Sequence, residues 1–339
     1  MDMTSEAPDF DHIFTNVLCL HHKFLTQAHK WFDRLRATRR QIIADETSAE
    51  AKCCSLFAIS GAGKSKIVRS YMNGPVIDYC IDIGLFPPET PRKTVARLQR
   101  KVIYVSVSGT STLTSLLEDL LRAFGDPRPQ RGRNGDKMHR LLTYIREFET
   151  ELIVFDEMNH LKIGSPSATR AEEATRVHNT LKDFLLGGCP VVFVGTKEAK
   201  DKVFSDPQIR DRCVKQLFIG PLNSAKPDHY QDYTEFCGLL GLELKRVGIF
   251  PERSNFMDRR TVAALFEASG RYYGHTTNIV ALACNFAWEE GSTTVDSSHL
   301  AMAVDEYSIF NNLCRDNPFT RKRPREKQKP KTEEATVDA

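Results

Sequence analysis

Residues 56–72, "LFAISGAGKSKIVRSYM", set a turn of small residues and one lysine between an apolar run and a helical pattern. A phosphate-binding loop reads Gly, four residues, then Gly-Lys-Ser/Thr. Here Ala58 stands at the first Gly, while Gly63, Lys64 and Ser65 fall into place. The chemistry rests on the second half. Ser60, Gly61, Ala62 and Gly63 offer backbone N–H groups at a helix start, where an anion is favoured, and Lys64 adds a mobile ammonium. Ser65 offers a hydroxyl to a divalent cation, with Lys66 beside it. A Gly-rich turn with a solvated lysine would leave the same trace, so a second motif has to decide.

That motif is "LIVFDEMNH", residues 152–160, an apolar strand ending in Asp156 and Glu157. Ligands of doubly wound folds bind at the carboxyl edge of the sheet. Asp156 suits Mg²⁺ held through water, and Glu157 suits the polarisation of an attacking water. A lone acidic strand end is common; one about 90 residues after a phosphate loop points to nucleotide chemistry. A third strand, "VVFVGTKEAKD", ends in Thr196, placed to sense a γ-phosphate, although a hydroxyl capping the next helix reads equally well. Guanine-reading sites carry a carboxylate where Ala199 stands, so ATP is expected rather than GTP. In "SDPQIRDRC", Arg210 and Arg212 precede a last strand, and one of them, with Arg212 favoured, would reach a neighbouring subunit's γ-phosphate. A solvated helix face is the competing reading.

Bulk properties agree with a globular protein of two units: 339 residues, 41% of them hydrophobic. The start, "MDMTSEAPDFDH", is polar where a signal peptide would be basic and then apolar, and no apolar run reaches about 18 residues. Nine scattered cysteines without a CxxC pair fit reduced thiols in a cytoplasm, with Cys53 and Cys54 as small core residues rather than metal ligands. Residues 321–339 hold seven Lys/Arg against four Asp/Glu and so carry the whole net charge of +3.

Along the chain, residues 21–41 place Phe24, Ala28, Trp31 and Leu35 at helical spacing. Apolar strands follow at "CCSLFA", "VIYVSV", "ELIVFD", "VVFVGT" and "KQLFIG", separated by helical patterns, which predicts a parallel sheet covered on both faces. Residues 73–94 read as an irregular excursion and residues 125–137 as a basic loop. After residue 222 only helices are expected. The organisation is then an N-terminal helical segment (1–50), a nucleotide-binding domain (51–222), a helical lid (223–310) and a basic tail (311–339), extended and suited to partner docking.

In this order, "HHKFLTQAHKWFDRLRATRR", "AISGAGKSKI", "KVIYVSV", "LIVFDEMNHL", "VVFVGTKEA" and "PQIRDRC" resemble the TniB/TnsC family of AAA+ transposition regulators. The resemblance implies an α/β fold: a three-layer AAA+ P-loop domain with a five-stranded parallel sheet, plus a small helical lid. It implies ATP and Mg²⁺ as cofactors and a homo-oligomer, ring or helical filament, on double-stranded DNA. It also implies two protein partners, a TniQ-like target-selection protein and a DDE transposase, and no membrane. Arg97, Arg100, Lys101, Thr110 and Thr112 fall in the region resembling the family's DNA contacts, with Arg128, Arg131 and Arg133 as further candidates. Asn278, in "GHTTNIV", stands where many AAA+ lids carry a sensor arginine. Two other functions fit the motifs: an origin-recognition or helicase-loader-like ATPase, and a scaffold that binds ATP without turning it over.

Overall fold

The structure is a computed structural model describing residues 8–18, 20–107, 112–160 and 168–321. Five strands form its centre: β1 (Cys53–Ala58), β2 (Val102–Ser106), β3 (Leu152–Asp156), β4 (Val191–Gly195) and β5 (Cys213–Ile219). They pair in the order β2-β3-β4-β1-β5, every pair parallel. Each of the five apolar runs expected as a strand forms one. β1, β3 and β4 are buried on both faces, so their side chains need not alternate in polarity.

The first described elements are one helical turn, α1 (Phe10–His12), and a π-helical turn (Ile13–Val17), with α2 (Lys23–Ala44) next. Helix α2 buries Leu25, Ala28, Phe32 and Leu35 against the sheet. Phe24 and Trp31, expected on that face, lie half-buried on its shoulders. After β1 come α3 (Lys64–Asn73), α4 (Pro75–Asp82) and α5 (Arg92–Leu98). Helix α4 corrects the irregular reading of residues 73–94: Pro75 opens it at its first turn, and Val76, Ile77 and Cys80 bury a face that the surrounding Gly and Pro obscured. These helices cover one sheet face, meeting Leu56, Val154 and Val194.

The other face carries α6 (Leu113–Phe124), α7 (Asn134–Glu147), α8 (Ala168–Leu186), α9 (Lys197–Val203) and α10 (Pro207–Arg212), packed on Phe57, Ile153 and Phe193. The basic loop ends earlier than expected, because Asn134 already begins α7 and Lys137 is buried in an ion pair with Glu118 at 2.7 Å. A buried network ties the first face together. The Glu151 carboxylate, just before β3, accepts from Arg36 and Arg40 of α2, both at 2.9 Å, and from the Tyr79 hydroxyl of α4 at 2.8 Å.

A separate helical core follows: α11 (Pro227–Arg246), α12 (Arg259–Ala268), α13 (Tyr273–Glu289) and α14 (Ser297–Ala303) with a π-helical extension (Val304–Ile309). Phe10, Phe14, Leu18 and Leu20 are buried in this core, not in the sheet domain that adjoins them in sequence. Cys53 and Cys54 are fully buried, as expected for small core residues. Among the described residues no helix is long and apolar enough to cross a membrane, and there is no cluster of three metal-ligating side chains. The tail expected to dock partners lies outside the described residues from 322 onward.

Candidate functional site

Strands β1, β3 and β4 run parallel and in register, so the residues after Ala58, Asp156 and Gly195 collect at one sheet edge. From β1 the chain turns through Ile59–Gly63. Gly61 and Gly63 have φ of 73° and 99°, left-handed values that suit glycine, and Gly63 caps α3. Lys64 is buried, and its ammonium donates to the carbonyls of Ala58 (3.3 Å) and Ile59 (2.9 Å). Burial lowers its pKa, opposed by the charges of Glu157 and Asp156. The three groups singled out from two distant motifs therefore share one field.

Asp156 is fully buried, accepting the Glu157 backbone N–H at 2.8 Å and the Tyr104 hydroxyl at 2.9 Å. Burial and the Asp156 charge push the Tyr104 pKa up, so this hydroxyl stays a donor. Glu157 is half-exposed and has φ of 56°, an uncommon backbone for a long side chain. Its Oε2 lies 3.8 Å from His160 Nε2. Thr196 begins α9 without capping it, and its buried hydroxyl has no hydrogen-bond partner among the described residues.

The lid closes this edge. Gly274, at the start of α13, approaches so closely that a Cβ would stand 2.2 Å from the Gly61 carbonyl oxygen. A cavity of about 630 Å³ lies between the phosphate loop, the lid and the N-terminal segment. Ser60 to Lys66 and Glu157 form its floor, Thr277, Asn278 and Tyr307 one wall, and Phe14, Thr15 and Leu18 another. The Lys66 ammonium donates to the carbonyls of Phe14 (3.1 Å) and Thr15 (2.7 Å), fastening that segment over the loop. Sequence reasoning missed this wall, Gly274 and Tyr104. Only the spacing of Phe10, Phe14 and Leu18 could have signalled an apolar face there.

Other expected residues separate. Arg212 donates to Gln208 O (2.9 Å) and pairs with Glu50 (2.8 Å), whereas Arg210 on the same short helix is exposed. Arg100 spends its guanidinium on the carbonyls of Phe124, Arg97 and Gln99, each at 2.8 Å. Lys101 pairs with Glu149 at 2.9 Å. Arg97, Arg100 and Lys101 lie before β2 and Thr112 beyond it, so the length of a strand, about 17 Å, divides them. Thr110 lies outside the described residues. Thr112 caps α6, and a hydrogen bond of 3.0 Å from Thr114 to Asn134 brings the start of α7, with exposed Arg133, alongside.

Residues 23–218 match the family model described as "Bacterial TniB protein". No curated protein matches the chain. Among solved structures, the Aeropyrum pernix ORC2 protein in ADPNP–ADP complexes is 15% identical with a TM-score of 0.55, over 87% of this chain and 71% of that one. The ORC1 protein of the same organism, in complex with DNA, is 16% identical with a TM-score of 0.53, over 88% and 67%. Cdc6p from Pyrobaculum aerophilum is 13% identical with a TM-score of 0.54, over 88% and 71%. At these identities the likeness is one of fold.

Proposed function

The chain belongs to the TniB family of transposition-associated AAA+ ATPases, and from that premise we propose that it is an ATP-dependent, DNA-binding oligomer that links a target-selecting factor to a DDE transposase. Hydrolysis would dismantle the assembly. One observation carries the reading: Lys64, Asp156 and Glu157 share a sheet edge that the lid and the N-terminal segment close over.

In this proposal the loop N–H groups and Lys64 bind the phosphates, and the ammonium leaves the Ala58 and Ile59 carbonyls for phosphate oxygens of higher charge. The donor set also fits Mg²⁺. Ser65 lies in the first turn of α3, and both Asp156 oxygens already accept hydrogen bonds, so Asp156 would reach the ion through water. Bound there, the ion would offset phosphate charge. Glu157 orients the attacking water, and Thr196, just after β4, would sense the γ-phosphate.

A finger in trans comes from α10. The engaged guanidinium of Arg212 moves that assignment to Arg210, which is exposed on α10 ahead of the edge strand β5, itself carrying the exposed apolar residues Val214 and Phe218. DNA contacts move likewise toward Arg133 and Thr112, since Arg100 and Lys101 are committed within the chain.

A binding scaffold without turnover is the second reading, favoured by Asn278 on the cavity wall in place of a lid arginine. Turnover separates the two. Lys64→Ala should lose ATP affinity at least tenfold, and Glu157→Gln should keep ATP bound while hydrolysis falls about a hundredfold. Equal, negligible turnover in the parent and Glu157→Gln proteins assembled on DNA would leave the scaffold. The origin-recognition-like reading rests on the fold likeness alone.

A further inference from the structure

Immediately after Gly274 the lid presents His275 to the phosphate loop. The side chain is only 6% exposed, and a Cβ built on Gly61 would meet its Cε1 at 2.4 Å, so the ring lies directly on the loop. Its Nδ1 is 2.8 Å from the Tyr307 hydroxyl, which also receives Asn278 Nδ2 at 2.7 Å. An amide nitrogen only donates, so Tyr307 accepts from Asn278, which leaves its own proton free to go to His275 Nδ1. In that arrangement the imidazole proton sits on Nε2. This Nε2 is buried and has no hydrogen-bond partner among the described residues. The charged group acting on the ring is Lys64, and the rings of Tyr272 and Tyr307 pack beside it. A buried donor beside a cation on a phosphate loop calls for an anionic acceptor.

We propose that His275 donates its Nε2 proton to a phosphate oxygen of the nucleotide on residues 60–65, a lid contact that senses phosphate in place of an arginine. The inference rests on the nucleotide reading given above. Tyr307 holds the tautomer, and Asn278 holds Tyr307, so the cavity wall and the loop are joined through one hydrogen-bonded chain. Burial, followed by the Lys64 charge, lowers the His275 pKa, which keeps the ring neutral near pH 7. Arriving phosphates reverse the local charge and raise that pKa, so ATP binding takes up a fraction of a proton.

Titration calorimetry of the full chain with Mg·ATP, in two buffers of different ionisation enthalpy at pH 7, tests this. His275→Ala should weaken ATP about ten- to a hundredfold, and His275→Gln, which keeps a donor, within about threefold. Proton uptake should exceed that of His275→Gln by a measurable fraction. Tyr307→Phe, which frees the tautomer, should weaken ATP several-fold with an unchanged melting temperature; it stands in if His275→Ala fails to fold. Parent-like affinity in both His275→Ala and Tyr307→Phe, or proton uptake unchanged in His275→Gln, overturns the proposal. If Lys64→Ala also binds like the parent, the nucleotide reading itself falls. If Lys64→Ala alone loses binding, only the role of His275 does.

Discussion

Gly274 and Lys64 stand at either side of the same contact, and only one of them was visible beforehand. Lys64, Asp156 and Glu157 were legible because phosphate chemistry imposes residue types at short, fixed spacing. Gly274 was not, because its constraint comes from Gly61, more than two hundred residues earlier, and exists only once the lid has docked. Tyr104 is similar: nothing in "VIYVSV" says that its hydroxyl will meet Asp156. Gly274→Ala adds one methyl group where the nearest atoms are backbone of the loop, so lid or loop must shift. That substitution should weaken ATP binding about tenfold or more while leaving the melting temperature within a few degrees, since the methyl sits at a junction and in neither core. Fluorescent-nucleotide titration checks it, and parent-like affinity would mean that the lid does not need this approach.

Among the elements, the strands were legible because burial on both faces leaves continuous β-branched and aromatic runs. The entry segment before α2 was not, since its partners lie in the lid. Helix α2 joins the two units through His22, which caps it by accepting the Leu25 N–H at 3.3 Å and stacks on Tyr273 of α13 with ring centroids 4.6 Å apart. Burial, aided by His29 and His21, pulls the His22 pKa from 6.5 down to about 3. A depressed folded-state pKa means that the unfolded chain binds the proton first as pH falls. The stability is therefore complete above about 6.5 and declines toward 3, at up to about 1.4 kcal/mol per unit. Thermal melts between pH 7 and pH 5 should show the parent losing stability faster than His22→Asn, which keeps a capping oxygen without the titration. Parallel curves would remove His22 from the acid response.

For the whole molecule, the proposed oligomer and its proposed DNA contacts are where single-chain sequence reasoning reached least far, because each would involve surfaces shared between copies. Two tests separate the assignments. Arg210→Ala should lower turnover of assembled protein about a hundredfold with ATP affinity intact, and mixing it with Lys64→Ala should restore some activity at mixed interfaces. Rescue by Arg212→Ala but not by Arg210→Ala would return the finger to Arg212. Arg133→Ala should weaken duplex binding and flatten its salt dependence by about one unit per protomer, whereas Arg100→Ala should lower the melting temperature and leave the salt slope alone. The opposite pattern would restore the contact to the start of β2.

The same architecture has a consequence for the order of synthesis. Phe10, Phe14, Leu18 and Leu20 are made well before α11–α14, yet those helices supply their core, which reaches to Phe319. At about 5–20 residues per second, more than two hundred residues pass in roughly 10–40 s before those four side chains find partners. Over that interval the sheet domain can form while its nucleotide cavity lacks two walls. The proposed ATP site is thus complete only once the lid has been made, and a nascent chain carries an uncovered apolar segment, the kind of surface that holding chaperones cover, until the lid emerges.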